Sequence, residues 1–222
     1  HKTLFHLHTP ASYDYTLFSS WKHEEYAKAD ENKLLQCCMQ RKLVPQREYL
    51  SNVTLDNERS IYSTRKEWLS YLLLANELVC NNYEIVAVTD HNSVGGIRKL
   101  ELAIKDIHKI KATHAYPEII CGVEISCADR LHVVGIFESK EMEKVENWLD
   151  EYLISEVDGT YRTSLDVIDF FKRDLNGISY IAHIYSSHLF DNEKYLSGAY
   201  KKKLRNTDCF EYIGVHEQSH IE

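Results

Sequence analysis

Short apolar runs that alternate with longer amphipathic stretches restrict this chain to an α/β fold. The runs at 2–7, 84–89, 118–125, 131–137, 178–184 and 209–215 are β-branched or nearly continuous in apolar residues, the pattern of strands covered on both faces. Between them, 66–81 carries Trp68, Leu69, Leu72, Leu73, Leu78 and Val79 at helical spacing, and 94–111 carries Ile97, Leu100, Ile104, Ile107 and Ile110. Two more helical patterns span 140–155 and 164–175, the second opened by the capping-box-like Thr163-x-x-Asp166. Strands alternating with helices predict parallel pairing in a layered or barrel sheet. The short connection between 118–125 and 131–137 predicts an irregularity there.

Residues 16–63 break the rhythm. They are polar, with Lys22-His23-Glu24-Glu25, a short helix-like stretch near 33–42 and then Pro45. They read as an insertion or lid between the first strand and its helix. No repeat, low-complexity tract or linker divides the chain. One domain over 1–222 is expected, a usual length for an α/β barrel.

The strands also carry metal donors at or near their ends. His6 and His8 close the first run, and residues two apart in extended chain share a face. Thr89-Asp90-His91, Gly122-Val123-Glu124, Leu131-His132-Val133 and Ala182-His183 follow. Imidazole with carboxylate suits Zn, Mn, Fe, Ni or Co and does not suit an all-oxygen Ca or Mg cage. The set exceeds the three protein ligands of one catalytic zinc, so two or three ions are expected. Paired metals serve phosphoester hydrolysis by activating water and holding both oxygens of the displacement. Asp90 beside His91 suits a residue that orients a ligand. Arg130, near the same rim, is placed to meet a phosphate.

Charge and cysteine content bound the remaining possibilities. A net charge of −8 opposes sequence-independent clamping of nucleic acid. It leaves a nuclease open, because metal ions supply positive charge locally. The stretch Lys201-Lys202-Lys203-Leu204-Arg205 is a local exception to the acidic balance. Six cysteines without a Cys-x-x-Cys pair read as reduced thiols of a cytoplasmic protein. No run approaches the roughly 20 apolar residues of a membrane helix.

Taken in order, His6-x-His8-Thr9 with Ser12 and Asp14, Thr89-Asp90-His91, Gly122-x-Glu124, His132 and Ala182-His183 resemble the PHP (polymerase and histidinol phosphatase) superfamily, over about residues 3 to 184. The resemblance implies a distorted (β/α)7 barrel with two or three divalent ions (Zn, Mn or Fe) at the strands' C-terminal ends. It assigns His6, His8 and Glu124 to one metal. Glu124 bridges to a second, held with His132 and His183, and Asp14 and His91 hold a third. Asp14 lies six residues after His8, where many members have five; an inserted Tyr13 explains the difference. The implied activity is phosphoester hydrolysis by metal-activated water; Glu124, together with Asp90 and Arg130 from their own placement beside His91 and near the rim, is expected at the reacting centre.

The family's final Asp-x-His on a seventh strand does not follow His183. The expectation is therefore a barrel truncated before that strand and a native polypeptide that continues past Glu222. His8-Thr9-Pro10-Ala11-Ser12 and Leu196-Ser197-Gly198-Ala199-Tyr200-Lys201 further resemble the N-terminal PHP module of large bacterial TrlF-type AAA-like ATPases, which implies a downstream ATPase partner. The reading leans to a nuclease or nucleotide-directed enzyme. It leaves open a small-molecule phosphatase of the histidinol-phosphatase kind and a non-catalytic PHP scaffold.

Overall fold

In the computed structural model, residues 1–17, 22–44, 60–112, 116–182, 196–205 and 212–213 are described. They form a mixed α/β architecture with two compact units, His1–Val88 with Gly95–Ile119, and Thr89–Val94 with Ile120–Glu222.

In the first unit, β1 (Thr3–Leu7) pairs in parallel with β2 (Ile85–Val88). Parallel partners need a long crossover, and α1 (His23–Lys28), α2 (Glu31–Gln40) and α3 (Arg65–Cys80) lie along it. Thr64 starts α3 by accepting from the Glu67 N–H at 3.1 Å. From Trp68 to Val79 nearly every residue of α3 is buried, as befits a helix packed on more than one side. Helix α2 lies within the polar stretch 16–63 and buries Leu34, Leu35 and Cys38. It is tied to α3 by the Cys38 thiol on the Leu69 carbonyl and by the Arg65–Glu31 and Arg41–Glu77 pairs. On the other side, α4 (Gly96–Lys111) buries Ile97, Leu100, Ile104 and Ile107 completely, and Lys99 meets Glu67 at 2.6 Å.

The second unit holds β3 (Glu118–Ser126, entering at Ile120), β4 (His132–Phe137), β7 (Ile178–Ala182) and β8 (Tyr212–Ile213). The expected parallel order is corrected here. β4 runs antiparallel to β3 and to β7, while β7 and β8 are parallel. The physical reason is the Cys127–Leu131 connection, which is long enough for a hairpin and far too short for a crossover. Between β4 and β7 come α5 (Met142–Tyr152), a small hairpin of β5 (Leu153–Ser155) and β6 (Gly159–Thr160), and α6 (Ser164–Asp169). Two helices are thus shorter than their sequence patterns. Residues 153–155 leave α5 as a strand, and Phe170–Asp174 continue α6 as a π-helical turn. That turn sets the Phe171 ring directly over Gly135 of β4. The last described helix is α7 (Gly198–Arg205). No helix among the described residues is long and apolar enough to cross a membrane.

Candidate metal centre

In the first unit, β1 delivers the two histidines. Its register against β2 slips by one residue between Leu4 and Leu7, as at a bulge. The His6 and His8 rings still share a face, with centroids 4.9 Å apart in an edge-on arrangement. The chain then turns sharply. Ser12 N–H donates to the Thr9 carbonyl and Tyr15 N–H to the Ser12 carbonyl, while the buried Thr9 hydroxyl meets the Tyr71 hydroxyl at 2.9 Å. These turns accommodate Tyr13 and fold Asp14 back, so that its carboxylate lies 3.0 Å from His8 Nδ1 and accepts from the Ser12 hydroxyl at 2.7 Å. His6, His8 and Asp14 therefore form one local group.

The second unit brings His91, Glu124 and His132 together, with one donor atom of each within 4.8 Å of the others. Two backbone bonds align the first two: Asn92 N–H donates to the Glu124 carbonyl at 2.8 Å, and Glu124 N–H to the Asp90 carbonyl at 3.0 Å. The antiparallel register sets Ser126 opposite His132 and Glu124 opposite Val134, which makes Glu124 and His132 diagonal neighbours on one face. Glu124 is fully buried and His91 is 5% exposed, while the His132 side chain remains 36% exposed. The two carboxylate oxygens of Glu124 face different imidazoles, Oε1 to His132 Nδ1 at 3.0 Å and Oε2 to His91 Nε2 at 3.7 Å. Burying a carboxylate is costly unless it is paired. Two imidazoles and one carboxylate, clustered and partly shielded from water, fit a borderline divalent cation, and the group is able to bind one. On β7, burial and the charge of Glu124 push the Tyr180 phenol up to about 12.

Of the other expected residues, Asp90 is fully buried next to His91. Arg130 is exposed, in the β3–β4 turn and with a left-handed φ of 66°. His183 lies outside the described residues, which end there with Ala182 paired to His132.

One residue escaped the sequence reading. Asn92 is 2% exposed with φ 53°. Its side-chain oxygen accepts from Ser126 N–H at 2.9 Å, and its amide donates to the Glu156 carbonyl at 2.8 Å and to the Ser126 hydroxyl at 3.3 Å. It thereby locks the His91 backbone to the end of β3 and to the β5–β6 hairpin. The hairpin comes close through Gly159, where a Cβ would lie 2.3 Å from the Ser126 carbonyl oxygen. The sequence signal was an Asn after a strand-end histidine, since Asn tolerates the left-handed region and bonds locally.

No family model matches the chain. It is 42% identical over 208 residues to an uncharacterized protein of Streptococcus pneumoniae serotype 4 (strain ATCC BAA-334 / TIGR4), covering 92% of this chain and 78% of that protein. It is also similar to a crystal structure of Endonuclease Q in complex with a 27-mer duplex substrate with an abasic lesion at the active site. That likeness has 15% identity and a TM-score of 0.39 over 63% of this chain. The chain spans 36% of the Endonuclease Q chain.

Proposed function

This chain belongs to the same protein family as that pneumococcal protein, and we propose that it is a metal-dependent phosphoesterase, directed to nucleotides or nucleic acid. The observation that carries the reading is the buried Glu124 carboxylate with one oxygen toward each of two imidazoles. A carboxylate so placed offers negative charge in two directions, the role required of a ligand shared between two cations. Divalent ions bound there would supply Lewis acidity, polarising a phosphoryl group and lowering the pKa of water. His91 and His132 would hold such an ion through their ring nitrogens. Asp90 steadies the chain beside His91, and Arg130, two residues before His132, orients the phosphoryl anion. The ordered motifs extend the proposal to His6, His8 and Asp14 as further ligands, with His183 as the last. Zn, Mn and Fe are the proposed metals, two or three in number, on the donor chemistry.

The test combines hydrolysis of bis(p-nitrophenyl) phosphate with melting. Activity should vanish with EDTA and return with Mn or Zn, and Glu124→Gln should remove most of it. At a metal concentration about 100 times Kd, binding adds about 2.7 kcal/mol of stability. That raises the melting temperature by about 5–10 °C in a chain of this size. Glu124→Gln should lose the shift. Hydrolysis indifferent to chelation and to that substitution rejects the metal mechanism. Bound metal without cleavage of any phosphoester favours the scaffold reading instead.

A further inference from the structure

The basic helix α7 lies outside the donor clusters, yet the fold ties it to the turn that carries His132. Ser197 starts the helix, accepting from Tyr200 N–H at its hydroxyl and from Lys201 N–H at its carbonyl. Leu204, fully buried, and Tyr200 one turn earlier form its inward face. The Tyr200 hydroxyl donates to Asp129 at 2.6 Å, and Asp129 also accepts from the Ser164 hydroxyl at 2.7 Å and the Ser164 N–H at 3.0 Å. Asp129 sits in the Cys127–Leu131 turn, closed by Cys127 N–H on the Leu131 carbonyl at 2.8 Å. His132 follows directly, and Arg130 is exposed in the same turn. Burial and Asp129 push the Tyr200 phenol up to about 12, so it remains a donor to that carboxylate throughout the physiological range.

We propose that the outward face of α7, with Arg130, is a docking surface for the phosphate backbone of a nucleic-acid strand. The proposal rests on the phosphoesterase reading and narrows its substrate class. Lys201–Arg205 carries cations at Lys201, Lys202, Lys203 and Arg205 and no carboxylate, in a chain of net charge −8. A local reversal of sign of this kind steers a polyanion toward it. Lys202 and Lys203 are exposed, with no ion-pair partner among the described residues. A membrane surface fits poorly, since a helix that lies in lipid needs an exposed apolar face. The one large aliphatic side chain of α7, Leu204, is fully buried.

The test measures binding of a fluorescein-labelled single-stranded oligodeoxynucleotide of about 20 nucleotides by anisotropy, in EDTA and across a KCl series. Each backbone phosphate neutralised contributes about 0.7 to the salt slope on a single strand. K202Q/K203Q should therefore lower the slope by about 1.4 and weaken binding at low salt roughly tenfold. K105Q/K109Q, which removes two exposed lysines from α4, should change neither. Equal losses in the two double variants overturn the proposal, because they mean general charge attraction. Binding to phosphatidylserine vesicles without binding to the oligonucleotide overturns it in favour of a membrane. No hydrolysis of the small diester with any added Mn or Zn, with oligonucleotide binding that still depends on Lys202 and Lys203, strikes the phosphoesterase reading and leaves the docking surface standing.

Discussion

Replacing Asn92 tests whether the arrangement around His91 and Glu124 is held in place from outside the donor set. Asn92→Ala strands the Ser126 N–H and the Glu156 carbonyl, which the side chain bonds at 2.9 and 2.8 Å. A buried donor left unmade costs about 1–3 kcal/mol. Alanine at φ 53° adds about 1–2 kcal/mol of left-handed strain. The sum is about 3 kcal/mol, or a fall of about 6–12 °C in melting temperature at the 2–4 °C per kcal/mol usual for this size. Asn92→Gly loses the same hydrogen bonds without the strain, so it should melt a few degrees above Asn92→Ala. Both substitutions remove the side-chain ties from this segment to Ser126 and Glu156 and leave its two backbone bonds to Glu124, and both should weaken Mn or Zn binding at least tenfold, the usual effect of removing a ligand's support. Melting followed by circular dichroism and titration calorimetry with each metal give the two readouts. An Asn92→Ala protein that melts with the wild type, or a glycine variant less stable than the alanine one, refutes the reasoning.

Gly135→Ala would place a methyl group 2.1–2.3 Å from the ring atoms of the fully buried Phe171. Overpacking of this kind costs about 1–3 kcal/mol, so its melting temperature should drop, and Phe171→Leu in the same protein should restore part of the loss. Tyr200, whose phenol is raised from 10.0 to about 12, contributes stability that is complete below pH 10 and is lost as pH rises through 12. Denaturant midpoints should therefore fall more steeply between those pH values for the wild type than for Tyr200→Phe.

Local patterns carried most of what was legible in the sequence. The strand beginning at Thr3 and the helices at 65–80 and 96–111 lie within a few residues of their expected positions, because long apolar periodicities leave little freedom. Donor spacing brought out the local groups: His6 with His8, from the two-residue repeat of a strand, and Glu124 with His132, from a shared strand-end position. What stayed hidden depends on neighbours distant in sequence. The end of α5 at Tyr152 is set by the pairing of Leu153 with Thr160, and the π-helical turn at Phe170 accompanies the seating of Phe171 against Gly135. Asn92 looked like an ordinary turn residue, since its partners Ser126 and Glu156 are far along the chain.

The reversal of β4 is also what brings Glu124 and His132 to one rim. In an all-parallel sheet, functional side chains gather at the C-terminal ends of the strands. Glu124 is close to the C-terminal end of β3, but His132 is the first residue of β4. Parallel pairing would have carried His132 to the opposite edge, about 3.3 Å farther away for each residue of strand. The short Cys127–Leu131 turn reverses the chain, so the start of β4 meets the end of β3, with Ser126 opposite His132. Because β7 in turn runs antiparallel to β4, its C-terminal residue Ala182 also pairs with His132. The end of β3, the start of β4 and the end of β7 thus share one edge of this unit, and the parallel bridge of His91 to Glu124 adds a further chain to it. The same hairpin that departs from the regular βα rhythm sets Glu124 between two imidazoles.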